Sequence, residues 1–263
     1  MAPTRPLRIL GWLAVVLVLL LAWLYWGSSP FSRTTPKNDA SHRSTLGTPS
    51  TAVAKADLNI LYLGNSHTGF HDLPGTIEKL LRFRSPERTI GTHMVMISHL
   101  EDAYHNSHVM QVLETRPWNC VVLQAQKISM SGKFIYSNQE GIDIARKARE
   151  RGAKVFFFSE WAREGVEGER ERTERIYAEM SDASGATLIP VGQAWERVHS
   201  ETPSLRLHAD DGNHQSSLGA LLTAITIASY LEDVDSMEWA NYREDGIAVE
   251  QLRQFCRLAR PLR

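Results

Sequence analysis

Beyond residue 57, short apolar runs alternate with amphipathic stretches. The runs at 60–63, 94–97, 120–124, 155–158 and 187–191 are mostly rich in Val, Ile, Leu or Phe and apolar on both faces. Such runs mark strands buried on both sides of a parallel sheet. Between them the apolar spacing becomes helical. Residues 76–83 place Ile77, Leu80 and Leu81 on one side, and 100–113 follows a similar spacing. A helix over 141–151 is stopped by Gly152. Residues 167–180 are dense in Glu and Arg, with Ile176, Tyr177 and Met180 as the buried edge. Those charges read as a solvated helix face with i,i+4 pairs. Residues 217–231 are apolar nearly all round, which predicts a deeply packed helix, and Cys256 lies in a last helix-like segment. This alternation predicts an α/β domain: a central parallel sheet of about five strands, helices on both faces and right-handed connections. A ligand site belongs off the carboxyl ends of the strands.

The first part of the chain follows another pattern. After a tail over 1–8 holding Arg5 and Arg8, residues 9–26 are uncharged and almost wholly apolar. As a helix they span roughly 27 Å, close to the hydrocarbon thickness of a bilayer. Trp23, Tyr25 and Trp26 cluster at the far end like an interfacial aromatic belt. A cleaved signal peptide is the competing reading, but no small-x-small site precedes Ser28 and no lipid-accepting cysteine follows. The expectation is an uncleaved, single-pass transmembrane anchor with the large domain on the extracytoplasmic side, or secreted if the segment is cut. Residues 27–56 are rich in Ser, Thr and Pro and read as a flexible linker, so the folded domain is expected over 57–263.

Composition narrows the choice of function. The 263 residues are 43% hydrophobic and carry a formal charge of −1, so there is no basic surplus to neutralise nucleic-acid phosphates. Ten histidines with two cysteines argue against a cysteine-based zinc site or a disulfide scaffold. Cys120 and Cys256 are expected as two buried free thiols.

The candidate chemistry sits at two places. The strand-like run from Leu58 stops at Gly64-Asn65-Ser66, which puts a serine hydroxyl on a turn just past a buried strand. Near the other end comes Asp211-Gly212-Asn213-His214. A serine hydroxyl needs a neutral imidazole within about 3 Å to take its proton, and His214 is the candidate base. Asp211 can turn back within one loop to orient the imidazole, with Asp210 as the fallback. Ser216 or Ser217 would cap the next helix. Together the two motifs indicate a serine hydrolase. His67 with His71, and His105 with His108, have spacings seen in metal sites, but no third ligand joins either pair. No metal and no cofactor are expected. Trp161 and Trp195 read as core residues more than as pocket lining.

Gly64-Asn65-Ser66 after a strand, with Asp211-Gly212-Asn213-His214 before a C-terminal helix, resembles the SGNH (GDSL-like) hydrolase superfamily over 57 to about 232. The resemblance implies a flavodoxin-like three-layer α/β/α fold. It also implies ester hydrolysis through an acyl-enzyme on Ser66, with His214 as base and Asp211 as its orienter. Two departures stand out. Asn65 occupies the middle position of the usual Gly-Asp-Ser. The oxyanion donors also differ: Gln126 falls where the family places an asparagine, and 97–101 lacks the family's glycine, leaving the amide of Ser98 or His99. Gln126, Ser98 and Asn65 are therefore the oxyanion and substrate candidates, in a branch with Gln in place of Asn. Residues 152–161 and 189–192 look similar to that branch too. The expected activity is hydrolysis of carboxylic esters, O-acetyl esters of carbohydrates among them, with a small-molecule or glycan ester as substrate. The alternatives are an acyltransferase using the same site, or a non-catalytic glycan-binding or scaffold module of the envelope.

Overall fold

A computed structural model describes residues 56–259. The tail, the apolar segment and almost all of the linker expected ahead of the domain lie outside the described residues. Among the described residues no helix is long and apolar enough to cross a membrane.

Five strands form one sheet: β1 (Leu58–Gly64), β2 (Ile90–Met96), β3 (Cys120–Leu123), β4 (Lys154–Ser159) and β5 (Thr187–Pro190). All neighbours run parallel, in the order β2-β1-β3-β4-β5. This is the flavodoxin-like order, in which the chain reverses its direction of winding beside β1 and opens a crevice there. The helices are α1 (Ser66–Gly69), a single turn; α2 (Leu73–Arg84); α3 (Leu100–His105); α4 (Ser107–Thr115); α5 (Gln139–Glu150); α6 (Glu169–Ser184); α7 (Val191–Glu201); α8 (Ser217–Glu232); and α9 (Val249–Ala259).

Side chains of β1 alternate between two cores. Leu58, Ile60 and Tyr62 pack with α2, α7, α8 and α9, while Leu61 and Leu63 pack with α3 to α6. Three layers result, as the pattern predicts. Cys120 on β3 and Cys256 on α9 are both buried and unpaired.

The boundaries differ from the pattern where tertiary context decides. β2 begins at Ile90, ahead of the expected 94–97, and ends before Ile97. It pairs with β1 alone, and a half-exposed edge strand tolerates Thr92 and His93 where a central strand would not. The single helix expected over 100–113 is two, broken at Asn106, whose side chain accepts the His108 and Val109 amides at 3.0 and 3.3 Å. α6 continues past 180 to Ser184 and closes at Gly185, which has φ 71°. The apolar run at 187–191 straddles an element boundary: β5 ends at Pro190, and Val191 opens α7.

α8 is buried almost all round, as expected. Ser216 caps it, accepting the Gly219 amide at 3.2 Å. A β-carbon on Gly219 would overlap the Leu207 carbonyl oxygen and the Trp195 ring, so only glycine lets this first turn seat against the loop ahead of it. Gly219→Ala should therefore cost about 1–3 kcal/mol, the usual penalty for overpacking a filled site. Thermal melts followed by circular dichroism should show Tm lower by a few to about ten degrees. An unchanged Tm would show that the helix shifts freely.

Candidate active site

The turn that carries Ser66 is dictated by its local sequence. Gly64 ends β1, and a β-carbon there would overlap the Thr68 side chain, so glycine allows α1 to fold directly back on the strand. Asn65 caps α1 by accepting the His67 amide on Oδ1 at 2.9 Å. Ser66 is then the first, half-buried residue of the turn. The turn is clamped from the neighbouring strand. Gln124, buried just past β3, accepts the Thr68 hydroxyl at 2.8 Å and the Asn65 amide at 3.3 Å on its Oε1.

His214 comes from a tight hairpin over 207–216. His208 bridges Gln215, the Ala209 amide donates to the His214 carbonyl at 2.8 Å, and Gly212 turns the chain with φ 65°. Asp211 Oδ1 accepts the amides of Asn213 and His214, both at 2.9 Å. Its Oδ2 lies 2.5 Å from His214 Nδ1, and His214 Nε2 lies 2.8 Å from Ser66 Oγ. The hydrogen bond from His214, then the two backbone amides, hold the Asp211 carboxyl well below the usual carboxylate range. An ionised Asp211 accepts a proton-bearing Nδ1, which leaves Nε2 with the lone pair that faces Ser66. Asp210 pairs with Arg206 at 3.0 Å and takes no part.

Aromatic and amide contacts hold the two segments together. The Phe70 ring stacks on His214 with centroids 4.3 Å apart, and His67 stacks on it at 5.1 Å. The Asn213 carbonyl receives Trp161 Nε1 at 2.9 Å and His67 Nε2 at 3.2 Å. Gln215 Nε2 donates to the His67 and Phe70 carbonyls at 2.9 and 3.2 Å. Burial, with the neighbouring His214 second, pulls the His67 pKa down to about 4, so His67 is neutral at ordinary pH. Trp161 and Trp195 are buried and stacked at 4.0 Å, as core residues are, but Trp161 also lines the space beside Ser66 and steadies the His214 loop.

A hollow of about 140 Å³ opens over Ser66 and His214, lined also by Asn65, Gln126, Glu160 and Arg163. Gln126 thus reaches the site, with Nε2 donating to the Ile128 carbonyl at 3.0 Å. Ser98 does not line it; that residue is exposed on the bend after β2. A larger groove of about 410 Å³ shares Trp161 and Arg163 with the hollow, but Ser66 and His214 line the smaller one. Among the described residues no group of three or more His, Cys, Asp or Glu side chains is placed to hold a metal ion. Sequence reasoning passed over Gln124, Gln215, Lys127 and Glu160. The two glutamines look like ordinary polar residues at element ends, and only their burial shows what they hold. Lys127 is buried with Nζ donating to the Ser137 carbonyl, and desolvation lowers its pKa to about 8. Burial raises Glu160 to about 7, opposed in part by its own backbone, Tyr177, Gln124 and Lys127.

No protein-family model matches the chain, and no curated protein matches it. Solved structures do match. A protein of Slackia heliotrinireducens named as a candidate SGNH hydrolase aligns at 21% identity with a TM-score of 0.53, over 65% of this chain and 97% of its own. A DUF4886 family protein from Bacteroides uniformis aligns at 16% identity with a TM-score of 0.58, over 77% and 93%. The acetyl xylan esterase AlAXEase aligns at 14% identity with a TM-score of 0.51, over 66% and 99%. Identities this low carry the fold alone. That fold is the one shared by SGNH (GDSL-like) hydrolases.

Two buried groups of the site titrate in overlapping ranges with opposite effects on stability. His67, near 4 when folded and 6.5 when unfolded, binds fewer protons folded than unfolded between those values. Its contribution therefore falls as pH drops from 6.5 to 4. Glu160, near 7 when folded and 4.5 when unfolded, binds more protons folded, so its contribution falls as pH rises from 4.5 to 7. Each effect is roughly 3 kcal/mol, and they largely cancel. His67→Gln should make unfolding free energy decline from pH 4.5 to 7, and Glu160→Gln should make it decline from pH 6.5 to 4. Denaturant titrations of both variants across this range would show opposite slopes; slopes of one sign in both would refute the assignment.

Proposed function

We propose that this chain is a serine esterase for carboxylic esters with small acyl groups. The observation that carries the reading is the unbroken relay from Ser66 Oγ to His214 Nε2 at 2.8 Å and from His214 Nδ1 to Asp211 at 2.5 Å. As Ser66 Oγ attacks the ester carbonyl, its proton passes to His214 Nε2, and Asp211 stabilises the imidazolium. The imidazolium returns the proton to the departing alcohol, which leaves an acyl group on Ser66. Water, deprotonated by the same histidine, then releases the acid. The second Nε2 hydrogen of Gln126, the first being given to Ile128, is the side-chain donor for the oxyanion.

Size supports a short acyl group. A hollow of about 140 Å³ is close in size to an apolar cavity of roughly 150 Å³ that admits benzene, room for an acetyl ester and little more. The likeness to a structure named as an acetyl xylan esterase agrees with O-acyl esters of carbohydrates as the substrate class. Residues 9–26 anchor the enzyme in a membrane, and 27–56 tether the domain on the extracytoplasmic side.

The full chain should hydrolyse p-nitrophenyl acetate, and Ser66→Ala should lower kcat at least about 10³-fold. Equal rates in parent and variant would sink the reading and leave a non-catalytic module. Gln126→Ala should lower kcat by about 10²–10³-fold, the effect of one lost oxyanion donor, with little change in KM. The parent should also favour the acetate over the octanoate in kcat/KM. The reverse preference would rule out a small-acyl site.

A further inference from the structure

Several polar side chains of the hollow beside Ser66 already have partners. Glu169 is saturated by Arg163, whose amide and guanidinium donate to its two oxygens at 2.5–3.1 Å. Asn65 Oδ1 serves the His67 amide, and Gln126 Nε2 serves the Ile128 carbonyl. Glu160 stands apart from these. Its Oε2 is enclosed yet has no hydrogen-bond partner, and among the described side chains lining the hollow no other has such an atom.

The neighbours do not relieve it. The Tyr177 hydroxyl donates to the Ala125 carbonyl at 2.6 Å, and Lys127 Nζ donates to the Ser137 carbonyl. Tyr177 and Gln124, whose own Nε2 also lacks a partner, lie close enough to lower the carboxyl's pKa, yet neither closes a hydrogen bond of good geometry on Oε2. An enclosed carboxyl oxygen left without a donor is costly, and such groups are kept where a ligand completes them.

We propose that Glu160 is a specificity determinant that bonds a hydroxyl carried by the substrate close to its reacting ester, so that partial esters of polyols are preferred over esters of simple alcohols. This rests on the reading of Ser66 as the esterase nucleophile. A neutral hydroxyl suits the site better than an ammonium group, because the nearby Lys127 already brings positive charge to Glu160's surroundings. A hydroxyl also both donates and accepts, so it complements the ionised and the protonated carboxyl alike, and a carboxyl held near 7 exists in both forms at neutral pH.

The test compares 2-hydroxyethyl acetate with n-propyl acetate, which has a methyl group in place of the hydroxyl. For the full chain, kcat/KM should favour the hydroxy ester by about tenfold or more, since a site built to bond a hydroxyl discriminates strongly against an analogue lacking it. In Glu160→Leu that ratio should fall to about one or below. Glu160→Gln, which keeps a carbonyl acceptor, should retain part of the preference and serves if the leucine variant does not fold. A parent ratio near one, with turnover abolished by Ser66→Ala, would overturn the role of Glu160 and leave the esterase standing. A preference that survives in Glu160→Leu would overturn it equally. Absence of Ser66-dependent turnover of either ester would overturn both readings.

Discussion

Ser66 and His214 stand 148 residues apart in the chain and 2.8 Å apart in space, and a proton can pass between them only while that gap is held. The hydrogen bond itself is too weak to hold it, since a single net bond contributes only about 1 kcal/mol. The gap is held instead by an interlock between the two loops. The Gln215 amide reaches into the nucleophile turn to bond the His67 and Phe70 carbonyls, and His67 reaches back to the Asn213 carbonyl. Trp161, just past β4, bonds that same carbonyl, so three segments converge on one backbone oxygen. Gln215 is fully buried, and removing its amide would strand two carbonyls at once.

The sheet order explains why these segments meet. β1 lies between β2 and β3, so the crevice beside its carboxyl end is walled by the loop after β1 and the loop after β3. Ser66 comes from the first wall, and Gln124 and Gln126 from the second. The base hairpin then enters from the α8 side, steadied where Gly219 seats the first turn of that helix against Leu207.

Much of this was legible in the sequence because it obeys local rules. Buried parallel strands announce themselves as continuous apolar runs, and β1, β3 and β4 lie where Leu58, Cys120 and Val155 suggest. A serine after the first strand and an Asp-x-x-His before the last large apolar helix carry their own chemistry, so Ser66, Asp211 and His214 stand out. The rest depends on tertiary context that no local window contains. Only the second half of β2 shows in the sequence, because an edge strand has a weak apolar signature, and α7 is hidden because Thr187–Pro190 and Val191 form one apolar run across two elements. Ser98 was reasoned from the position of a family glycine, yet the chain after β2 turns that residue out to solvent. Gln124, Gln215 and Glu160 gain meaning only from burial and from which partners they find or lack.

The polarity of the hollow carries its own constraint. Enclosing His67, Lys127 and Glu160 works against stability, because each group loses water around its charged form. Their shifts show how the fold limits that cost. His67 and Lys127 are pushed towards neutrality from above and Glu160 from below, so each is displaced in the direction that removes charge from the interior. Asp211 takes the opposite course: it stays exposed, keeps its charge and gathers His214 and two backbone amides around it. A lasting negative charge is thus placed at the end of the relay where an imidazolium would form, while His67, Lys127 and Glu160 can shed theirs. A base is aided most when the charge that stabilises its protonated form is fixed in place before the proton arrives.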